Sequence, residues 1–101
     1  MLILIPVKGT DPRQATIAPV YEAEKWALID FDEGVVKQVD FFDDRTQTGA
    51  DWIDFVVLAN KFENYMEFME EGMMVLAVRE EETIEEIIEA FKFKELDEVG
   101  Y

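Results

Sequence analysis

The chain contains no cysteine and no histidine. Their absence excludes thiolate and imidazole ligands for soft metals, and also nucleophilic arrangements of the Ser–His–Asp or Cys–His type. Basic side chains are few as well, because 9 Lys and Arg stand against 24 Asp and Glu and give a formal net charge of −15. Nucleic acids and anionic membranes are bound largely through Lys and Arg, so we expect neither as a partner.

A long hydrophobic run is also missing. The apolar segment at residues 1–7 is too short to cross a membrane, and it has neither the basic leader nor the cleavage site of a signal peptide. We therefore expect this segment to be a buried first strand. Without an export signal or disulfides, the expected location is cytoplasmic.

The composition that is present suits a folded domain. Half of the 101 residues are hydrophobic and 13% are aromatic, so the chain can bury a core despite its charge. The length fits a single domain over residues 1–101. The acidic surface favours solubility, and it leaves a basic protein partner or a hard cation open.

Five segments have the patterns of β-strands. The first is a continuous apolar run, typical of a strand that is buried on both faces. The second and third flank Glu33-Gly34, which can supply the positive φ angles of a tight hairpin turn. The predicted strands cover residues 2–7, 26–31, 35–42, 55–59 and 73–78.

Two helices are predicted in the second half of the chain. Asn60 and Glu63 have the spacing of a capping box at the start of the first helix, and Gly72 suits its end. Thr83 and Glu86 form the capping box of the second helix. Apolar residues at helical spacing after each box predict core-facing stripes. The stripes are Phe62, Tyr65, Met66 and Met69 in the first helix, and Ile84, Ile87, Ile88 and Phe91 in the second.

The order of these elements predicts an α/β fold. Strand, helix, strand and helix alternate over residues 55–92, which implies parallel strands joined by a right-handed crossover. Together with the hairpin, they predict a mixed five-stranded sheet with flanking helices. Residues 8–24 and 43–53 are the least regular stretches, and functional sites are most often found in such loops.

Six segments of the sequence carry a family resemblance: residues 3–7, 26–31, 33–39, 54–60, 71–75 and 82–91. They resemble the dinitrogenase iron–molybdenum cofactor biosynthesis domain family, whose small proteins are related to NifX and to the C-terminal part of NifB. The resemblance covers most of the chain, through segments that are mainly structural. It implies a ribonuclease H-like fold and binding of an iron–sulfur or iron–molybdenum cluster or its precursor.

Two departures from the family pattern affect this expectation. Pro19 stands roughly where relatives often have a histidine. Residues 43–53 are too few for the helix that relatives have between their third and fourth strands. We therefore expect this first crossover helix to be shortened or missing, with one helical turn around residues 50–53. Trp52 or a second subunit would then cover the exposed sheet face, and the second possibility predicts a homodimer.

The candidate ligand site lies in the loop after the first strand, where open α/β sheets often bind ligands. Lys8 and Arg13 could contact an anion there, and Tyr21 and Trp26 could add apolar contacts. One glycine near two cations lacks the pattern of a phosphate-binding loop. An ordinary connecting loop is therefore the alternative interpretation.

Three other clusters have a functional and a structural interpretation. The carboxylates of Asp40, Asp43 and Asp44 are suitable ligands for Mg²⁺ or Ca²⁺, but they lack the spacing of a calcium loop. We therefore expect a solvated strand end at these residues. The glutamates of residues 80–89 favour a helix start, with docking of a basic protein as the alternative. The methionines of residues 66–74 predict core packing rather than soft-metal binding. We expect no metal site.

Two functional hypotheses follow, and in neither is the protein an enzyme. In the first, it is a non-catalytic binding protein that handles a metallocluster, as the resemblance implies. In the second, it is an acidic protein-interaction or accessory module that has lost cluster binding, as the missing ligand types favour.

Overall fold

The structure is a computed structural model, and it describes residues 1–100. These residues form seven strands and two α-helices, with two short 3-10 helices at Val20–Glu22 and Arg45–Thr48. The elements are β1 (Leu2–Lys8), β2 (Thr16–Ile17), β3 (Lys25–Asp32), β4 (Val35–Phe42), β5 (Phe55–Leu58), α1 (Met66–Glu70), β6 (Met74–Ala77), α2 (Ile84–Lys92) and β7 (Asp97–Glu98). Neither α-helix of these residues has the length and hydropathy to cross a membrane.

All the strands belong to one mixed sheet with the order β4-β3-β1-β5-β6-β7, and β2 pairs with β1. The pairs β1–β5 and β5–β6 are parallel, whereas the other strand pairs are antiparallel. All five predicted strands are present. The expected count of five was nevertheless wrong, because β2 and β7 have two residues each and show no pattern in the sequence.

The hairpin between β3 and β4 forms as predicted. Glu33 and Gly34 have φ angles of 52° and 78°. Positive φ at both central residues gives the backbone twist that joins two antiparallel strands through a two-residue turn.

Side-chain alternation along β1 explains its continuous apolar run. Ile3, Ile5 and Val7 face a core cluster that includes the buried side of α2. Leu4 faces a second cluster that includes Phe68 of α1. The first strand is therefore covered on both faces, which is why neither face needs polar residues.

Helix α2 agrees with the sequence prediction. Thr83 accepts a hydrogen bond from the Glu86 backbone, and the Glu86 side chain accepts one from the backbone of Thr83, which completes the capping box. Ile84, Ile87 and Ile88 are buried. An apolar stripe that packs on the sheet and a capped first turn thus favour the same helix.

Helix α1 differs from the prediction, because it begins at Met66 and not near Asn60. The Asn60 side chain instead accepts a hydrogen bond from the Phe62 backbone, 2.9 Å away, which forms a local turn. The predicted stripe is therefore wrong in part, since Phe62 is 87% exposed and Met66 is 53% exposed. Phe68, which the stripe omitted, is the buried residue of this helix.

The connection from β4 to β5 contains a single 3-10 helix in place of a full crossover helix, as expected. Its position was predicted wrongly: it lies at Arg45–Thr48, where Asp44 and Gln47 form a capping box, and not at residues 50–53. The Arg45 guanidinium lies 4.8 Å from the centre of the Phe68 ring. Arg45 thereby covers part of the sheet face from which the helix is missing.

Trp52 contributes little to this cover. Its ring packs against Gly72 and stays 60% exposed, while its indole nitrogen donates to Asp54 at 3.2 Å. Ile53 is the buried residue of this connection. The homodimer, which an uncovered sheet face would favour, stays a prediction.

Candidate functional site

The strands β1 and β5 lie side by side and parallel, and the longer strands that follow them, β3 and β6, lie on opposite sides of this pair. Between β1 and β3 the chain forms β2, whose Thr16 bridges Thr83. In open α/β sheets, the crevice at such a point is a frequent ligand site because the two loops separate there. A cavity of about 530 Å³ occurs at this position.

Both loops contribute walls to this cavity, which we call the switch-point crevice. The loop after β1 provides Val20 and Tyr21, and the segment after β5 provides the remaining lining. That second group is Asn60, Phe62, Glu63, Asn64, Glu67 and Phe68. The volume lies within the range of small-ligand pockets, roughly 300–1,000 Å³.

Two aromatic side chains distinguish the switch-point crevice. Tyr21 is 85% exposed and Phe62 is 87% exposed, and each comes from a different wall. Large aromatic side chains gain most when they are removed from water, so their exposure beside a cavity is a feature of binding sites. Phe68 closes the crevice from below, and its ring centre lies 6.0 Å from that of Trp26 in the core.

The polar side chains of the crevice already have protein partners. Glu63 accepts hydrogen bonds from the backbone of Val20 at 2.7 Å and of Asn60 at 3.2 Å, and so joins the two walls. Asn64 accepts a hydrogen bond from the Met66 backbone at 3.3 Å. Glu67 pairs with Arg45. These groups fix the shape of the crevice and leave few carboxylate oxygens free for a ligand.

Arg45 supports the crevice from behind. Its two terminal nitrogens donate to the Glu71 carboxylate at 2.9 and 2.6 Å, in a bidentate pair. These hydrogen bonds hold the pKa of Glu71 below its ordinary value, and the same bonds raise the pKa of Arg45. The pair therefore stays charged through the neutral range, with the guanidinium over the Phe68 ring.

The structure separates the four residues of the predicted ligand site. Tyr21 lines the switch-point crevice, and Trp26 lies in the core behind it. Lys8 is exposed at the end of β1. Arg13 lines a different cavity, of about 450 Å³, between α2 and β4. The four residues therefore do not form a single site, and a ligand contact of any of them stays a prediction.

The other wall was missed because Phe62 fits a helical stripe. Two asparagines, Asn60 and Asn64, were the available signal, since asparagine favours turns over helix interiors. Each of them accepts a hydrogen bond from the backbone two residues later. These turns keep Phe62 out of a helix and at the rim of the crevice.

The acidic cluster near the end of β4 is confirmed as a solvated strand end. Asp43 pairs with Lys25, and Asp44 accepts a hydrogen bond from the Thr46 backbone at 2.9 Å. Asp40 accepts one from Gln38 at 2.7 Å. Over residues 1–100, no three His, Cys, Asp or Glu side chains are placed to bind a metal ion.

No protein-family model matches this chain, and no curated protein matches it. Solved structures do match. A "putative dinitrogenase" of Methanocaldococcus jannaschii has a TM-score of 0.76 at 17% identity, over 99% of this chain and 95% of that one. A "putative NifB protein" of Thermotoga has a TM-score of 0.73 at 20% identity, over 96% and 91%. This chain shares their fold. The likeness supports the mixed α/β class, and the ribonuclease H-like assignment stays a prediction.

The donor atoms of the switch-point crevice do not fit a metallocluster held by protein ligands. Clusters of this kind are bound through thiolates and, less often, imidazoles. The whole chain has no cysteine or histidine, and the crevice offers amide and carboxylate oxygens that are already hydrogen-bonded.

Proposed function

We propose that this protein is a non-catalytic binding protein whose small ligand occupies the switch-point crevice. The observation that carries the proposal is the position of Tyr21 and Phe62, two exposed aromatic side chains on opposite walls of one cavity. Their rings offer a flat apolar ligand two surfaces for stacking. Glu63 keeps the walls together, so the cavity exists before the ligand binds.

The charges of the protein support a role without catalysis. A carboxylic acid that donates a proton near neutral pH needs a raised pKa. The carboxyl groups with a shifted pKa are all shifted downward, chiefly by hydrogen bonds from backbone or from Arg45. They are Asp11, Asp44, Glu71 and Glu86. Each of them acts as a permanent hydrogen-bond acceptor in a turn, a cap or an ion pair.

Fragment binding tests the crevice directly. Planar aromatic fragments of positive, neutral and negative charge should shift the backbone NMR signals of Val20 and Asn64. The double variant Tyr21→Ala, Phe62→Ala should abolish these shifts. Phe93→Ala is the matched control, because Phe93 is 64% exposed but lies outside the crevice. Equal binding by wild type and the double variant would disprove the proposed site.

The names of the proteins with the same fold support binding of a metallocluster as this function. The donor atoms of the switch-point crevice oppose it. We therefore expect that anaerobic titration with an iron–sulfur or iron–molybdenum cluster leaves the cluster absorbance unchanged. We also expect no co-elution in gel filtration. A stoichiometric spectral change with co-elution would restore the carrier hypothesis and would point to oxygen ligation.

An accessory module for a basic protein is the second candidate, and the net charge of −15 favours it. Glu80, Glu82 and Glu89 contribute to the acidic surface before and along α2 without capping the helix. A lysine-rich peptide should bind the wild type at low salt and dissociate as salt increases. Neutralising these three residues should weaken binding more than neutralising Asp32, Asp51 and Glu95. Equal losses would indicate attraction by net charge alone and would remove this candidate.

A further inference from the structure

A second cavity, of about 470 Å³, lies at the opposite end of the sheet from the switch-point crevice. It is found where β1, β5 and β6 begin and where α2 ends. We call it the basal cavity. Its lining is mainly apolar and consists of Met1, Phe31, Phe55, Met74, Leu76, Phe91, Lys92, Lys94, Leu96 and Glu98.

Aromatic packing gives the basal cavity fixed walls. The Phe91 ring stands edge-on to Phe31 at 5.6 Å and to Phe55 at 5.0 Å between ring centres. Leu76 and Leu96 are buried beside them. These side chains belong to the core cluster under α2, so the cavity is a depression in the core and not a gap between mobile loops.

The rim of the basal cavity is cationic, which contrasts with the rest of the protein. Lys92 and Lys94 are two of only nine basic residues. Lys92 approaches Glu89 at 3.7 Å, and within residues 1–100 no ion pair of Lys94 lies inside 4 Å. Lys94 has a positive φ of 57°, at the turn where α2 ends. Glu98 is the acidic residue among the lining side chains.

We propose that the basal cavity binds a small amphipathic anion, with its apolar body against the phenylalanine walls and a single anionic head at Lys92 and Lys94. A net charge of −15 repels anions at long range. Binding of an anion in preference to a cation therefore requires local positive charge, which Lys92 and Lys94 supply together with the N-terminal ammonium of Met1. The site is independent of the switch-point crevice and of the function proposed for it.

Lysines at the end of a helix also complement the helix dipole. That role alone predicts a loss of stability when they are replaced, with no effect on ligand preference. The choice between head groups is consequently the measurement that separates the two roles.

Three probes with the same chain and different heads make this test: octanoate, octanol and octylammonium. In calorimetry and in NMR titration at neutral pH, octanoate should bind most tightly and octylammonium least. The shifted NMR signals should belong to Leu76, Leu96 and their neighbours. Equal or tighter binding of octylammonium would overturn the proposal, as would shifts confined to other parts of the surface.

Charge variants add a second test, in which opposite changes of charge at the rim should have opposite effects on octanoate binding. Lys92→Gln with Lys94→Gln should weaken octanoate binding about fivefold or more, the range for two partly exposed ion pairs. Glu98→Gln should strengthen it, because an acidic group leaves the rim. Lys8→Gln with Lys37→Gln changes the net charge by the same amount away from the cavity, and it should have much less effect. If both double variants weaken binding equally, the lysines of the rim have no special role.

A second copy of the chain could instead cover this apolar surface, which continues past Met74 toward Trp52. Sedimentation at the concentrations of the titration distinguishes this occupant. A monomer that binds octanoate supports the proposal. A dimer that excludes octanoate would overturn it.

Discussion

A single side chain, Arg45, connects two parts of this protein that are distant in sequence. It belongs to the short connection after β4, and it pairs with Glu67 and Glu71 and lies over the Phe68 ring, all in or next to α1. Only 14% of its side chain is exposed, whereas its acidic partners are largely exposed. Arg45 thus stabilises the wall of the switch-point crevice that Glu67 and Phe68 form.

Replacing Arg45 with Met should lower the free energy of unfolding by about 1–2 kcal/mol, because charge-assisted hydrogen bonds and a cation–π contact are lost. Urea unfolding at neutral pH measures this change. Arg79→Met is the matched control, since Arg79 forms one ion pair with Asp97 and its side chain is 56% exposed. The control should lose clearly less, because solvent screens an exposed ion pair. Equal losses in the two variants would show that the position of Arg45 over Phe68 adds nothing to stability.

The same ion pair predicts a pH dependence. The pKa of Glu71 is lowered in the folded state from its ordinary value of 4.5. Its contribution is therefore complete above this value and is lost as the pH falls through the lower, folded-state pKa. The difference in unfolding free energy between wild type and Arg45→Met should shrink as the pH falls below 4.5. Asp11 and Glu86 also have lowered pKa values, but Arg45 is not among the causes and they cancel in this difference. Arg45 lowers the pKa of Asp44 in part, so Asp44 contributes to the difference in the same direction as Glu71. A difference that stays constant down to pH 3 would contradict this origin.

The two helices show when apolar residues at helical spacing are sufficient to predict a helix. Both stripes have apolar residues at the same spacing, but only α2 has a complete capping box and a sheet face under its whole length. Before α1, Glu63 accepts a hydrogen bond from the Asn60 backbone, but the Asn60 side chain accepts from Phe62 and not from Glu63, so the predicted capping box is incomplete. The chain therefore forms turns up to Tyr65 and then five residues of helix.

The end of α1 depends on Gly72. This residue has a φ of +90°, and a Cβ atom there would lie 2.8 Å from the Trp52 ring. Gly72→Ala should cost about 2–3 kcal/mol, from backbone strain and from the clash. Gly34→Ala is the control for strain, because φ is +78° there but a Cβ would meet nothing within 4 Å. It should cost about 1 kcal/mol.

Thermal or urea unfolding of these glycine variants measures both costs. Adding Trp52→Ala to Gly72→Ala should recover the part that is due to the clash. If the two glycine variants are equally destabilised, contact with Trp52 does not determine the end of α1.

At the scale of the whole molecule, the net charge of −15 acts on a domain of 101 residues. Repulsion between like charges destabilises the compact state and is screened by salt. We expect the melting temperature to rise when NaCl is increased from about 0.05 to about 0.5 M, a range over which the screening length falls severalfold. KCl should have the same effect if screening is the cause. A melting temperature that is constant or lower in salt would show that ion pairs such as Arg45–Glu71 outweigh the repulsion.

Features that depend on neighbouring residues and on composition could be predicted from the sequence alone. The strands β3 and β4, the turn at Glu33-Gly34, the capped helix α2 and the acidic surface all follow from local patterns. The absence of cysteine and histidine likewise excludes thiolate and imidazole chemistry in any fold that this chain could adopt.

Packing between distant segments determines which of the local patterns form the predicted element, and which residues lie together. Glu63 bonds to Val20 across 43 positions in the chain, and Arg45 reaches Glu71 across 26. These long-range contacts join the segment around α1 to the loop after β1 and to the connection after β4, and so form the switch-point crevice. The basal cavity likewise depends on Phe31, Phe55 and Phe91, which only the folded sheet brings together. Local patterns contain no information on such contacts, because their free energy appears only when distant segments pack.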